Sequence, residues 1–272
     1  GQFTLTTALA GNDLATFPDF PAEIRAPAGT TFGVSAFQIH FGSRAIKTAG
    51  DAPDVLVALN PAALKVNLAD LVRGGLIIAD AGAFTGRNLK KAGFESNPLD
   101  DGSLDGYQVI AVDITAATLE AVKPHGLTQR EAARCKNMWS LGLVYWIYDR
   151  DRQPTQDWLN RRFGDRREIA DSNIAAIDAG HAYGETMEVS AGKVHAYSVA
   201  PADIEPGLYR TVTGIEALSW GIVAGAAHAG LRTTFAGYPI TPASAILHTL
   251  SKLKQFDVAT CQAEDEIAAA GA

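Results

Sequence analysis

"DAPDVLVALNPAALKVNLADLVRGGLIIAD", residues 51–80, decides the fold. The run VLVAL has no polar interruption, which is the pattern of a strand buried on both faces. Pro61 then stands at a first helical position, where its fixed φ and missing N–H cost nothing, and leucines follow at helical spacing. Arg-Gly-Gly stops that helix, and LIIAD starts a second buried strand. Strand, helix and strand at this spacing predict a parallel pair joined by a crossover. Downstream, GYQVIAVDI (106–114) reads as a third buried strand and TAATLEAV (115–122) as the helix after it. Upstream, VSAFQIHFG (34–42) alternates apolar and polar as a strand does. Residues 1–30 begin with a helical pattern and give way to a Pro/Gly-rich loop. The fold class is therefore α/β, with a parallel, doubly wound sheet.

From 128 to 188 the chain turns helical: TQREAARCKNMWSLGLVYWIYD, QDWLNRRF and RREIADSNIAAIDAGHAYGETM. Trp139, Tyr145, Trp146 and Tyr148 lie on a strongly apolar helix, as a core or a subunit interface requires. Residues 189–214 are polar, Pro/Gly-punctuated and weakly periodic, the pattern of a linker. The alternation then resets. A small-residue helix (214–230), the strand LRTTFAG, the helix TPASAILHTLSKL, the strand FDVATC and the start of a further helix, AEDEIAAAGA, describe a second α/β domain. The division predicted is 1–190, a linker over 191–210, and 211–272 as the opening of the second domain. The chain starts at Gly1 and stops inside an apolar helical pattern, so it reads as a piece of a longer protein.

Composition narrows the chemistry. With 272 residues, 47% hydrophobic and 19% charged, the chain can bury a sizeable core. A net charge of −7 and no Lys/Arg run argue against a nucleic-acid surface. The basic patch RRFGDRR (161–167) alternates with acids and aromatics, as a solvated helix face does. Cys135 and Cys261 form no CxxC and read as buried packing in a reducing, cytoplasmic compartment. The six histidines show no HxH or HExxH spacing, so no metal site is expected from this chain. The longest small-apolar stretch, ALSWGIVAGAAHAGL, is too short and too His-interrupted to span a bilayer. GxGxxG, Walker A and GxSxG patterns are absent, which disfavours nicotinamide binding, phosphate-loop chemistry and a serine nucleophile.

Two features carry candidate chemistry. GYPITP (237–242) falls between a strand and a helix at the strand's carboxyl end, where open α/β sheets place ligands. Its prolines preset the backbone of the loop that bears Thr241. The loop reads either as a ligand rim or as a rigid connector, with Thr241 the helix N-cap and Pro242 the first helical residue. QAEDE (262–266) places three acids at a helix start, where the dipole favours them. Glu266 adjoins the apolar IAAAGA, a place for a partly buried, tuned carboxylate.

Taken together, GYPITPAS, the preceding GIEAL and QAEDEIAAAGA resemble the 2-oxoacid:ferredoxin oxidoreductases. The likeness is to the alpha subunit of the 2-oxoglutarate type, in which a gamma domain precedes the thiamine-pyrimidine domain. EIRAPAGT, FQIHFG and DAPDVLVALNPAALKVNLADLVRGG look like that gamma domain, without the glycine-rich strand–turn–helix that usually opens it. The resemblance implies oxidative decarboxylation of a 2-oxoacid on thiamine diphosphate. It further implies coenzyme A as acyl acceptor, electrons passing through an iron–sulfur cluster to ferredoxin, and a place in the tricarboxylic acid cycle. A beta subunit would hold the diphosphate, its Mg²⁺ and a [4Fe-4S] cluster, in an alpha2beta2 assembly. Glu266 matches the family glutamate that hydrogen-bonds N1′ of the aminopyrimidine and promotes its imino tautomer. Thr241 matches the threonine that contacts the 2-oxoacid, with Tyr238, Pro239, Ile240 and Pro242 forming a rigid rim. The arginine for the substrate carboxylate would lie beyond Ala272, so the fragment alone is expected to be inactive. The competing expectation is a non-catalytic assembly subunit whose helical middle (130–188) makes an interface.

Overall fold

The computed structural model describes residues 1–19, 36–191, 196–241 and 243–272 of the chain. They divide into two units, Gly1–Glu205 and Pro206–Ala272.

In the first unit a short helix, α1 (Gln2–Leu9), leads into β1 (Asp13–Asp19), which pairs antiparallel with β2 (Ala36–Gly42) from Asp13↔Gly42 to Asp19↔Ala36. The sequence predicts β2 but gives the β1 stretch to a loop. Its run DLATF is too short to show a period, and its partner, not its pattern, makes it a strand. Residues 23–30, part of the family resemblance, lie outside the described residues.

The main sheet has the order β3 (Val55–Ala58), β4 (Leu76–Asp80), β5 (Gln108–Val112), parallel throughout. Central β4 is buried at every residue. Its alternation splits the core between two faces. Leu76 and Ile78 meet Ile110, Ile114, Trp139 and Leu143 on one side, while Ile77 and Ala79 meet Ala58, Leu64, Leu71 and Phe84 on the other. Helices thus cover both faces, as a doubly wound sheet requires. The flanking strands depart from expectation. Val57 of β3 and Val109 of β5 are exposed, because among the described residues each strand has a neighbour on one side only, and an apolar run cannot report that.

Local chemistry sets the helix boundaries. Asn60 caps α2 (Pro61–Asn67) by accepting the Ala63 N–H at 2.9 Å, with Pro61 in the first turn as predicted. Thr85 caps α3 (Gly86–Lys91), and Asp113 caps α4 (Ile114–Val122). A Thr128/Glu131 capping box starts α5 (Gln129–Arg134). α6 (Lys136–Ile147), α7 (Gln153–Arg162) and the 25-residue α8 (Arg167–Ala191) complete the helical middle. α6 and α8 touch backbone to backbone. A Cβ at Gly142 would overlap the Ile177 carbonyl oxygen, and one at Gly180 the Trp139 carbonyl oxygen. Trp139, Tyr145 and Trp146 are buried, which makes the aromatic stripe core.

The expected linker differs in its first half. The Tyr197 N–H bonds to the Ile147 carbonyl at 2.6 Å and the Ala202 N–H to the Gly11 carbonyl at 2.8 Å. Asn12 Nδ2 donates to the Ala200 carbonyl at 2.8 Å. The Tyr197 ring stacks on Tyr148 at 5.3 Å, so residues 196–205 belong with the first unit. Polar, unperiodic sequence reads as linker even where its backbone groups are satisfied by a neighbouring surface.

In the second unit, a Thr213/Glu216 capping box opens α9 (Gly214–His228). Strands β6 (Thr233–Gly237) and β7 (Val258–Gln262) pair in parallel, from Thr233↔Val258 to Gly237↔Gln262. α10 (Ser244–Leu250) crosses between them, and α11 (Glu266–Gly271) follows β7. Val223, Leu250 and Val258 form the core, packed against Phe235, Ile246 and Leu253. Among the described residues no helix is long and apolar enough to cross a membrane.

Candidate functional site at the carboxyl edge of β6 and β7

Both stretches singled out in the sequence fall at one edge. β6 ends at Gly237 and β7 at Gln262, and these residues face each other in the parallel register. One further bond, from the Ala263 N–H to the Gly237 carbonyl at 2.8 Å, extends the ladder past both strand ends. The loop from Tyr238 and the turn into α11 therefore leave the sheet side by side, at the carboxyl ends of adjacent parallel strands. That is the ligand-binding edge of such sheets. α11 also packs against β6.

The loop is held by a residue that sequence reasoning passed over. Ser244 Oγ accepts the Ile240 N–H and donates to the Ile240 carbonyl, both at 2.9 Å, and the Ser244 N–H adds a 2.8 Å bond to that same carbonyl. The signal was present as a serine four residues after Ile240, a spacing at which hydroxyls bond back to the main chain. Thr241 is not the cap predicted for it. α10 begins at Ser244 with Ala243 at the N-cap and no side-chain cap, because the Ser244 bonds close the turn first. Thr241, Pro239 and Ile240 are exposed and Tyr238 is half-buried. Pro242 lies outside the described residues.

The three acids of QAEDE separate by task. Asp265 is the N-cap of α11, and its Oδ1 accepts the Ala268 N–H at 2.8 Å. Glu266 is the first helical residue, and its carboxylate has no hydrogen bond or ion pair among the described residues. The partial burial expected for Glu266 is not found: it is exposed, as is Ile267 at 80%. An apolar neighbour in sequence buries a carboxylate only when something packs over both. The cysteines also part company, Cys135 being buried and Cys261 exposed on edge strand β7. Burial pushes the Cys135 thiol pKa up, as suits inert packing.

A second carboxylate went unremarked in the sequence. Asp80, at the carboxyl end of β4, is fully buried. It accepts the Ile114 N–H at 3.0 Å and the Thr115 hydroxyl at 3.2 Å, with Lys136 Nζ at 3.7 Å. One side chain thus joins β4, α4 and α6, and its bonds are all taken up by the fold.

Comparison with known proteins agrees with this layout. Residues 2–183 match the family model described as pyruvate ferredoxin/flavodoxin oxidoreductase. Residues 224–272 match the model for the thiamine diphosphate-binding part of pyruvate flavodoxin/ferredoxin oxidoreductase. The chain belongs to the pyruvate ferredoxin/flavodoxin oxidoreductase family. It is 50% identical over 266 residues to the 2-oxoglutarate oxidoreductase subunit KorA of Mycobacterium tuberculosis, covering 98% of this chain and 40% of that protein. The alpha subunit of 2-oxoacid:ferredoxin oxidoreductase 1 of Aeropyrum pernix is 30% identical over 175 residues, 60% of this chain and 25% of that one. Among solved structures, the 2-oxoglutarate:ferredoxin oxidoreductase of Magnetococcus marinus, with 2-oxoglutarate, coenzyme A and succinyl-CoA bound, aligns with a TM-score of 0.70 at 25% identity. That alignment covers 98% of this chain and 41% of the other. The chain thus spans about 40% of the length of its KorA relative.

Proposed function

We propose that the chain is part of the alpha subunit of a 2-oxoglutarate:ferredoxin oxidoreductase, lining one wall of its thiamine site. The reaction converts a 2-oxoacid and coenzyme A to acyl-CoA and carbon dioxide, with electrons passed to ferredoxin. The observation that carries the reading is the uncommitted carboxylate of Glu266 on the same sheet edge as the Ser244-braced loop. The half-identical relative named for 2-oxoglutarate supports the choice of oxoacid.

The residues present fit thiamine diphosphate on chemical grounds. An aminopyrimidine presents ring nitrogens and an amino group, and an exposed carboxylate with free lone pairs at a helix start suits them. Bound thiamine diphosphate supplies the carbanion that attacks the 2-oxoacid carbonyl. Glu266 would accept or share the proton at N1′, a role that an acceptor-only carboxylate fills and an amide does not. Thr241 would donate its hydroxyl to the oxoacid from a loop already fixed before substrate arrives, which limits the entropy lost on binding.

A partner beta subunit holding the diphosphate, Mg²⁺ and a [4Fe-4S] cluster belongs to the same proposal, as do an alpha2beta2 assembly, ferredoxin as acceptor, and a cytoplasmic setting within the tricarboxylic acid cycle. The first unit is assigned to the gamma domain and the second to the start of the thiamine-pyrimidine domain. The test is co-purification of the full-length alpha chain with its partner subunit, followed by assay of several 2-oxoacids with coenzyme A and an acceptor dye. Glu266→Gln is expected to lower turnover by roughly 10²-fold or more while leaving assembly intact. Near-normal turnover in that variant would sink the assignment. A stable complex with no thiamine-dependent turnover would favour the assembly-subunit alternative.

A further inference from the structure

The first unit holds a cavity of about 510 Å³, lined by Trp146, Tyr148, Arg150, His181 and Glu185 together with Tyr197. All of its lining residues belong to the first unit, and none of them has a part in the proposed reaction. Arg150 is its unusual member. The side chain is only 6% exposed, yet among the described residues no carboxylate lies within ion-pair distance of it. Buried arginines are nearly always paired, because an uncompensated buried charge is costly. Nη2 donates to Asn12 Oδ1 at 2.6 Å, a neutral amide, and the guanidinium lies over the Phe41 ring at 5.5 Å. Nε is enclosed and has no hydrogen-bond partner. The group is therefore oriented by two neutral neighbours; burial pushes the guanidinium pKa down, and the Asp149 carboxylate favours its charge, but from beyond ion-pair distance.

The surrounding groups restrict what completes it. Tyr148 and Tyr197 stack at 5.3 Å, and burial keeps the Tyr148 hydroxyl protonated far above its usual range, so it is a neutral donor. Trp146 adds a largely buried apolar wall. Glu185 is engaged by His181 Nδ1 at 3.2 Å, and the exposed Asp149 sits beside Arg150 in the chain. These two acids oppose a multiply charged anion. Asp149 also has φ 49°, at the position after α6 that glycine usually fills.

We propose that this cavity is a second ligand site, taking a small organic monocarboxylate whose carboxylate pairs with Arg150 and whose apolar body lies against Trp146 and the tyrosines. Its size falls in the range of small-molecule pockets.

The test is a titration of the chain with benzoate, inorganic phosphate and benzylamine, followed by thermal shift and saturation-transfer NMR. Saturable binding of benzoate alone is expected, weakened about tenfold or more in Arg150→Gln. Should Arg150→Gln fail to fold, Asp149→Asn decides the matter, since asparagine tolerates the left-handed conformation and removes a repelling charge. Benzoate affinity is then expected to rise roughly 2- to 5-fold. The site is overturned by the absence of saturable benzoate binding, or by unchanged or weaker affinity in Asp149→Asn. Equal binding of benzylamine overturns the anion, and phosphate binding as tightly as benzoate overturns the organic carboxylate.

Discussion

Asp265 and Glu266 are neighbours in sequence whose carboxylates meet different fates. The first is consumed by the Ala268 N–H and fixes where α11 begins, while the second has no hydrogen bond or ion pair among the described residues. Asp265→Ala is therefore expected to cost helix stability, whereas Glu266→Gln, in the role proposed for it, is expected to cost turnover instead. The same separation holds around Thr241. Ser244 makes the loop's hydrogen bonds, so Thr241 has no capping duty to confound a mutation there. Thr241→Val in the full enzyme is expected to lower kcat/KM for the oxoacid roughly 5- to 10-fold with Tm unchanged, the signature of one lost ligand hydrogen bond. Unchanged steady-state kinetics would remove Thr241 from the substrate site. These assignments were only half legible beforehand. The motif brought the two stretches to one sheet edge, but which acid caps the helix and which hydroxyl braces the loop depends on bond directions that spacing cannot encode.

Elements were legible in proportion to how much of their pattern is local. Pro61 announces a helix start in a few residues, and α2 begins there. β4 shows as an apolar run because both of its faces are covered. β1 did not show, since its strand character comes from pairing with β2 across a long separation. Likewise the exposure of β3 and β5 depends on their having, among the described residues, a neighbour on one side only. The α6–α8 contact was hidden for another reason: Gly142 and Gly180 look like weak helix formers until the facing backbone is seen. Gly180→Ala is expected to destabilise the first unit by about 1–3 kcal/mol although alanine favours helix, because its Cβ would overlap the Trp139 carbonyl. Chemical denaturation reads the sign directly, and a stabilised variant would show that the helices sit further apart.

At the scale of the whole molecule the two units differ in how they are sustained. Gly1–Glu205 contains two extensive buried clusters on opposite faces of its sheet. Among the described residues, Pro206–Ala272 rests on one small buried cluster, Val223, Leu250 and Val258, and a two-stranded sheet. A chain ending at Glu205 is expected to unfold in one cooperative transition on its own. The segment 206–272 expressed alone is expected to show no cooperative melt, for a core of that size rarely offsets chain entropy. Two comparable transitions would contradict that view.

The position of β4 has a consequence for how the protein breathes. Paired on both sides and shielded on both faces, its amides open to solvent only when the entire first unit does. Their deuterium uptake should therefore report the global unfolding equilibrium of that unit. The amides of β7, with one side of the strand unpaired among the described residues, should exchange by local fraying long before.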